Sequence, residues 1–148
     1  SENAAWLENQ KHCLQHWFTS EDLSYYVKGG RISKAAGWFG TMLKICPVMD
    51  VDPDGHLALR TKVRGRKASL NALVDKMEAL CDKGTKYDGK VFLSNADSLA
   101  DAQYVATEVQ KRFPRMKGKV VISNVGLTIG SHTGPGTIAL FFWGQERA

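Results

Sequence analysis

One imidazole sits in a setting that could hold a small anion. His132 lies in Gly126-Leu-Thr-Ile-Gly130-Ser-His-Thr-Gly134-Pro-Gly136-Thr-Ile-Ala-Leu-Phe-Phe-Trp143, beside three hydroxyls, Ser131, Thr133 and Thr137. Gly130, Gly134 and Gly136 can take positive φ and let another group approach closely, and Pro135 stiffens the stretch between two of them. The residues predict a glycine-rich loop that feeds an apolar strand, Ile138 to Trp143. Such a loop can present donors to an anion at the end of that strand. It can equally be a tight turn in which a core neighbour satisfies His132. A second glycine-rich turn, Gly29-Gly30-Arg31-Ile32-Ser33, offers Arg31 as a further anion holder.

Catalytic chemistry is poorly supported. Ser131 and His132 are neighbours in sequence, and adjacent residues on a loop seldom form a nucleophile–base pair. There is no G-x-S-x-G; the nearest stretch is Gly126-x-Thr128-x-Gly130. Walker A, strand-linked G-x-G-x-x-G and H-E-x-x-H patterns are also missing. No metal site is expected. His12 and His16, with Cys13 between them, have a zinc-compatible spacing but no second ligand pair. Asp50-x-Asp52-x-Asp54-Gly55 copies the opening of a calcium loop, yet Thr61 stands where the closing Glu should be, and the flanks read as strands. A cation stripe, Arg60, Lys62 and Arg64 followed by Arg66 and Lys67, could dock an acidic surface or be a solvated face.

The chain has 148 residues and a net charge of +5, enough for one domain with its own core. The charge permits an anionic ligand without demanding nucleic acid. The stripe lacks the interleaved aromatics of a single-strand binder. Cys13, Cys46 and Cys81 are odd in number and far apart, which suits reduced thiols. No signal peptide is expected at the start, and the apolar run Ile138 to Trp143 is too short to span a bilayer.

These residues need elements to hold them. A helix is expected over Ala4 to Gln15, without a clear N-cap, then a short strand from His16 to Thr19. Thr19-Ser-Glu-Asp22 resembles a capping box opening a helix to Lys28. Ser33 would cap a small-residue helix from Lys34 to Met42. Leu43–Val51 and His56–Arg64 read as hairpin arms around the turn Asp52-Pro-Asp-Gly55, with Leu57, Leu59, Thr61 and Val63 on one face. Ser69 to Lys83 is an amphipathic helix ended by Gly84. Val91–Leu93, a helix capped by Ser98 and Asp101 and ended by Pro114, and Val120–Ser123 form a strand–helix–strand unit with parallel strands. The expected fold is α+β: a two-layer α/β sandwich with a mixed, largely antiparallel sheet, a β-hairpin and helices on one side.

Four stretches together resemble the C-terminal domain of the DegV family: Tyr25-Tyr-Val-Lys-Gly-Gly-Arg-Ile-Ser33, Lys34-Ala-Ala-Gly37, Lys62-Val-Arg-Gly-Arg-Lys67 and Gly130-Ser-His-Thr-Gly-Pro-Gly136. The resemblance runs from about Leu23 to Trp143. It implies a bacterial cytoplasmic fatty-acid-binding protein of two domains, the acyl-carrying subunit of a fatty acid kinase and not itself an enzyme. The ligand, a long-chain fatty acid with no cofactor, would lie between the domains. Its carboxylate would meet hydroxyls of an N-terminal domain that this chain lacks, and His132. Ser131, Thr133, Gly130 and Arg31 complete the candidate ligand residues, while Arg64, Lys62 and Arg66 are the candidate docking face for an ATP-binding kinase subunit. The resemblance implies that the bare apolar surface is covered by the missing domain, or by a second copy of the chain. Two other readings stay open: a substrate-binding subunit like that of dihydroxyacetone kinase, and a basic nucleic-acid-binding domain. The apolar strand and the small-residue helix suit an acyl chain better than a triose.

Overall fold

The computed structural model describes residues 1–32, 44–116 and 118–148. The expected helix Lys34–Met42, its cap Ser33 and the expected strand start at Leu43 lie outside them. Among the described residues six strands form one sheet: β1 (Leu14–Thr19), β2 (Ile45–Val51), β3 (Leu57–Arg64), β4 (Phe92–Asn95), β5 (Val121–Asn124) and β6 (Ile138–Trp143). Their order is β3-β2-β1-β6-β4-β5. Among these six strands only β4 and β5 run parallel; every other neighbouring pair is antiparallel. The mixed, largely antiparallel sheet and the β2–β3 hairpin are as expected, and the fold is α+β.

Two long helices cover one face. In α3 (Arg66–Leu80), Leu70, Leu73, Val74 and Met77 are buried, and in α4 (Leu99–Arg112), Ala102, Val105, Ala106 and Val109 are buried. Both stripes recur at helical spacing and therefore face one way. They close on Trp17, Val48, Leu93, Ile138, Leu140 and Phe142 from alternate strand positions. Helices are not confined to that side, as the sequence had suggested. The short α2 (Ser24–Lys28) packs on the opposite face, where Tyr26 joins Phe18 and Met49 in a smaller cluster.

Several boundaries differ from expectation, each for a local reason. The first helix, α1, spans Glu2–Gln10 and does have a cap: Ser1 accepts from the Ala4 amide. A 3-10 turn, Lys11–Cys13, then leads directly into β1, so Leu14 and Gln15 belong to the strand and not to the end of the expected helix. The capping box does not form. Thr19 is the last residue of β1, and Asp22 instead accepts from Ser24, 2.8 Å from its amide. Gly65, at φ 95°, turns the chain out of β3 so sharply that α3 begins at Arg66, three residues early. It ends at Leu80 because Cys81 is drawn into a bridge with Gly144. Asp101 does not cap α4 with Ser98; Arg66 takes its carboxylate. A bulge in β3 opposite Val48 and Met49 breaks the expected alternation, so Leu57 and Val63 serve opposite faces.

Candidate functional site

The largest correction concerns the stretch around His132. It is a helix, α5 (Leu127–Thr133), not a loop. Gly134, at φ 75°, ends it, a usual glycine role one residue past a helix. Thr128, Ile129, His132 and Thr133 occupy one face of α5 and line a cavity of about 520 Å³. Ser131 and Gly130 are not among its lining residues. Ser131 Oγ donates to the Thr128 carbonyl and Thr133 Oγ1 to the Ile129 carbonyl, so both protons are spent inside the helix. No hydrogen bond from a described residue reaches the His132 ring, which leaves its nitrogens available to a ligand.

Two glycines fix where α5 sits. A Cβ on Gly29 would stand 2.4 Å from His132 Nδ1, and one on Gly134 would stand 2.4 Å from the Tyr25 ring. Each helix thus lays a ring on the glycine that ends the other. This reciprocal contact explains why both glycine-rich turns are needed at one place. Arg31 follows directly: it lines the same cavity, and its guanidinium donates to the Gly29 carbonyl at 2.5 Å. His132, Thr133 and Arg31 are therefore brought together.

Beneath them lies a buried hydroxyl chain that the sequence did not reveal. Ser20 Oγ is 2.8 Å from the Tyr26 hydroxyl and 2.5 Å from Thr137 Oγ1, and Thr137 donates to the Thr133 carbonyl. It ties α2, the end of β1 and the start of β6 to α5. Burial pushes the Tyr26 phenol up from its ordinary value, so it stays protonated. Thr137 had been singled out by type; Ser20 and Tyr26 carried no signal, because their partners are 117 and 6 residues away.

The floor of the cavity is the second face of the sheet. Phe18, Ala139 and Ser94 lie side by side across β1, β6 and β4, and His16 and Phe141 lie in the next row. The cavity thus begins among polar groups at the start of β6 and runs over apolar side chains along it. His16 sits edge-on to Phe141, with ring centroids 5.5 Å apart. Burial, then the nearby Arg147 charge, lowers its pKa against a smaller opposing effect of Asp50, so it is neutral there. It belongs to the wall, and the strand geometry of β1 removes the helical pairing with His12 that zinc would need. At the hairpin tip Asp52, Asp54 and His56 are close, but Asp52 accepts from the His56 amide and the flanks are strands. Much of the apolar rim is open: Leu127 is 94%, Ile129 57%, Val121 48% and Phe92 44% exposed.

The cation stripe is less uniform than its sequence. Arg60 Nε donates to Asp50 at 2.8 Å, and Arg60 also pairs with the Ala148 carbonyl. Arg66 is only 18% exposed and points inward, with donors on Asp101 and on the Gly136 carbonyl, both within 2.8 Å. Its expected place on a docking face is not where the structure puts it. Lys62 and Arg64 remain exposed on β3.

Comparison with known proteins follows the same lines. A DegV domain-containing protein of Clostridium perfringens is 34% identical over 143 residues, covering 97% of this chain and 48% of its own length. A fatty acid-binding protein of Thermotoga maritima is 33% identical over 130 residues, covering 88% of this chain and 43% of that protein. Among solved structures, the Streptococcus pneumoniae fatty acid kinase B3 protein loaded with linoleic acid superposes with a TM-score of 0.82 at 20% identity, over 97% of this chain and 49% of that one. The chain spans about half the length of the curated relatives it matches. Among the described residues no helix is long and apolar enough to cross a membrane. The family model described as an uncharacterised protein of the DegV family matches residues 1–145, and the chain belongs to the DegV family.

Proposed function

We propose that this chain is the C-terminal domain of a two-domain fatty-acid carrier, and that it holds the ligand carboxylate through His132. One observation carries the reading: the 520 Å³ cavity has His132, Arg31 and Thr133 at one end and Phe18, Ala139 and Phe141 along its floor. A head with one or two anion holders and a long apolar floor suits an amphiphile better than a triose or a base. The binding protein of Thermotoga maritima supports the ligand class. The open rim of Leu127, Ile129, Phe92 and Val121 is an apolar surface of the kind that marks an interface. The N-terminal half present in the longer relatives would cover it and supply further hydroxyls to the carboxylate.

The bound carboxylate would be presented to a separate ATP-binding kinase for acyl-phosphate formation, with phosphoryl transfer supplied by that partner. The likeness to a fatty acid kinase protein supports this step. Lys62 and Arg64 on β3 would meet the kinase, with Arg66 holding their strand in place from within. Native mass spectrometry of the full-length protein tests the first claim: a co-purifying fatty acid is expected, and a ligand-free protein that also fails to take up oleate would overturn it. In titrations with oleate, His132→Ala should cost roughly 1.5–3 kcal/mol, the worth of a charge-assisted hydrogen bond. Unchanged affinity would remove His132 from the site.

A further inference from the structure

The sheet floor does not stop where the main cavity stops. On the same face, Leu14 lies across from Trp143, one row beyond His16 and Phe141. Successive rows are two strand residues apart, roughly 7 Å. A second cavity of about 280 Å³ sits over this third row, lined by Leu14, Lys90, Phe92, Phe141, Phe142 and Trp143. Five of those six side chains are apolar, so the space suits hydrocarbon better than ordered water. Phe141 lines both cavities. Its ring is braced by the edge-on contact with His16, and the far wall is braced in turn by Trp6, whose ring centroid is 5.7 Å from that of Trp143.

We propose that Phe141 sets the acyl-chain length this protein accepts: its ring is the partition that ends the main groove and keeps the tail out of the second cavity. The proposal rests on the fatty-acid reading above. In that arrangement a tail of ordinary length stops against Phe141, and a longer one is excluded because the ring, braced by His16, closes the end of the groove. A smaller side chain at this position joins the two spaces, and the extra methylenes of a longer acid enter a compartment already walled by Leu14, Phe92 and Trp143. One added methylene accommodated or refused by an apolar pocket changes discrimination by about tenfold or more.

The test is a titration of the full-length two-domain protein with palmitate and with behenate. The wild-type protein should favour palmitate. Phe141→Ala should shift the ratio of the two affinities toward behenate by about tenfold or more, and Phe141→Leu should shift it less, in the same direction. Adding Leu14→Trp to Phe141→Ala refills the second cavity and should restore the wild-type ratio. Should Phe141→Ala fail to fold, the Leu variant alone carries the measurement. An unchanged ratio in variants that still bind palmitate overturns the partition while leaving the fatty-acid reading intact. A shifted ratio that Leu14→Trp does not reverse overturns it too, since the longer tail then lies elsewhere. Failure of the wild-type protein to bind either acid overturns both readings at once.

Discussion

Arg66 Nε donates to Asp101 on α4 and Nη2 to the Gly136 carbonyl just before β6, from the first residue of α3. One guanidinium therefore joins three segments at the polar end of the cavity. Its planar fork is what allows two donors to serve two acceptors in different directions. Arg66→Ala should lower stability by about 1–3 kcal/mol, because a buried carbonyl and a half-buried carboxylate lose their donors. Arg66→Lys should recover little of it. Urea unfolding of the three proteins measures both. His16 makes a second case at this scale. Its folded pKa lies below the ordinary 6.5, so the unfolded chain takes up the proton more readily. Stability should thus be fully present above about pH 6.5 and fall as pH drops through that value toward the lower folded one. His16→Phe should flatten this slope between neutral pH and pH 5. A urea midpoint that drops equally in the variant would assign the slope to other groups.

At the scale of elements, α5 is the instructive one. Gly130, Ser131, His132 and Thr133 are indifferent or poor helix formers, and its two large apolar residues, Leu127 and Ile129, are both exposed, Ile129 at the cavity. No apolar stripe betrays it, because it faces an open cavity and not a core. What holds it is contact with α2 through Gly29 and Gly134. Gly29 has an ordinary backbone, φ −76°, so the main obstacle to alanine there is the His132 ring, with the Tyr25 carbonyl a lesser one 3.2 Å from such a Cβ. Gly29→Ala should therefore push the imidazole aside, weakening oleate binding several-fold while moving the thermal midpoint little. A loss of affinity matched by wholesale loss of stability would mean that α2 and not the ring had shifted. The β3 strand carries the other prediction. Arg64→Glu should slow phosphorylation of bound fatty acid by the kinase without changing fatty-acid affinity, since exposed charges act mainly on encounter. The effect should shrink as salt is raised. A rate and salt dependence identical to wild type would leave Arg64 a solvated residue.

At the scale of the molecule, one contiguous core forms between α3, α4 and the sheet among the described residues. The chain should fold cooperatively by itself. It should nevertheless bind oleate much more weakly than the full-length protein. Each methylene transferred from water contributes about 0.8 kcal/mol, and the open rim leaves part of the tail wet. Isothermal titration of both proteins decides this; equal affinities would place the whole pocket in this chain.

The sequence by itself determined the sheet strands near their observed positions, the parallel pair flanking α4, the hairpin turn at Asp52–Gly55 and both core helices. Those features depend on local periodicity and turn chemistry, and Leu70, Leu73, Val74 and Met77 state their face without help. It also singled out His132 and Arg31, by residue type and glycine context, and the two line one cavity. Only the tertiary structure decided the rest. It made the His132 stretch a helix, turned Arg66 inward, joined Ser20 to Thr137 and laid His16 beside Phe141. Each of these depends on a partner far away in the chain or on an open cavity between elements. The physics that fixes them, close approach and burial between distant segments, leaves no period in the sequence to read.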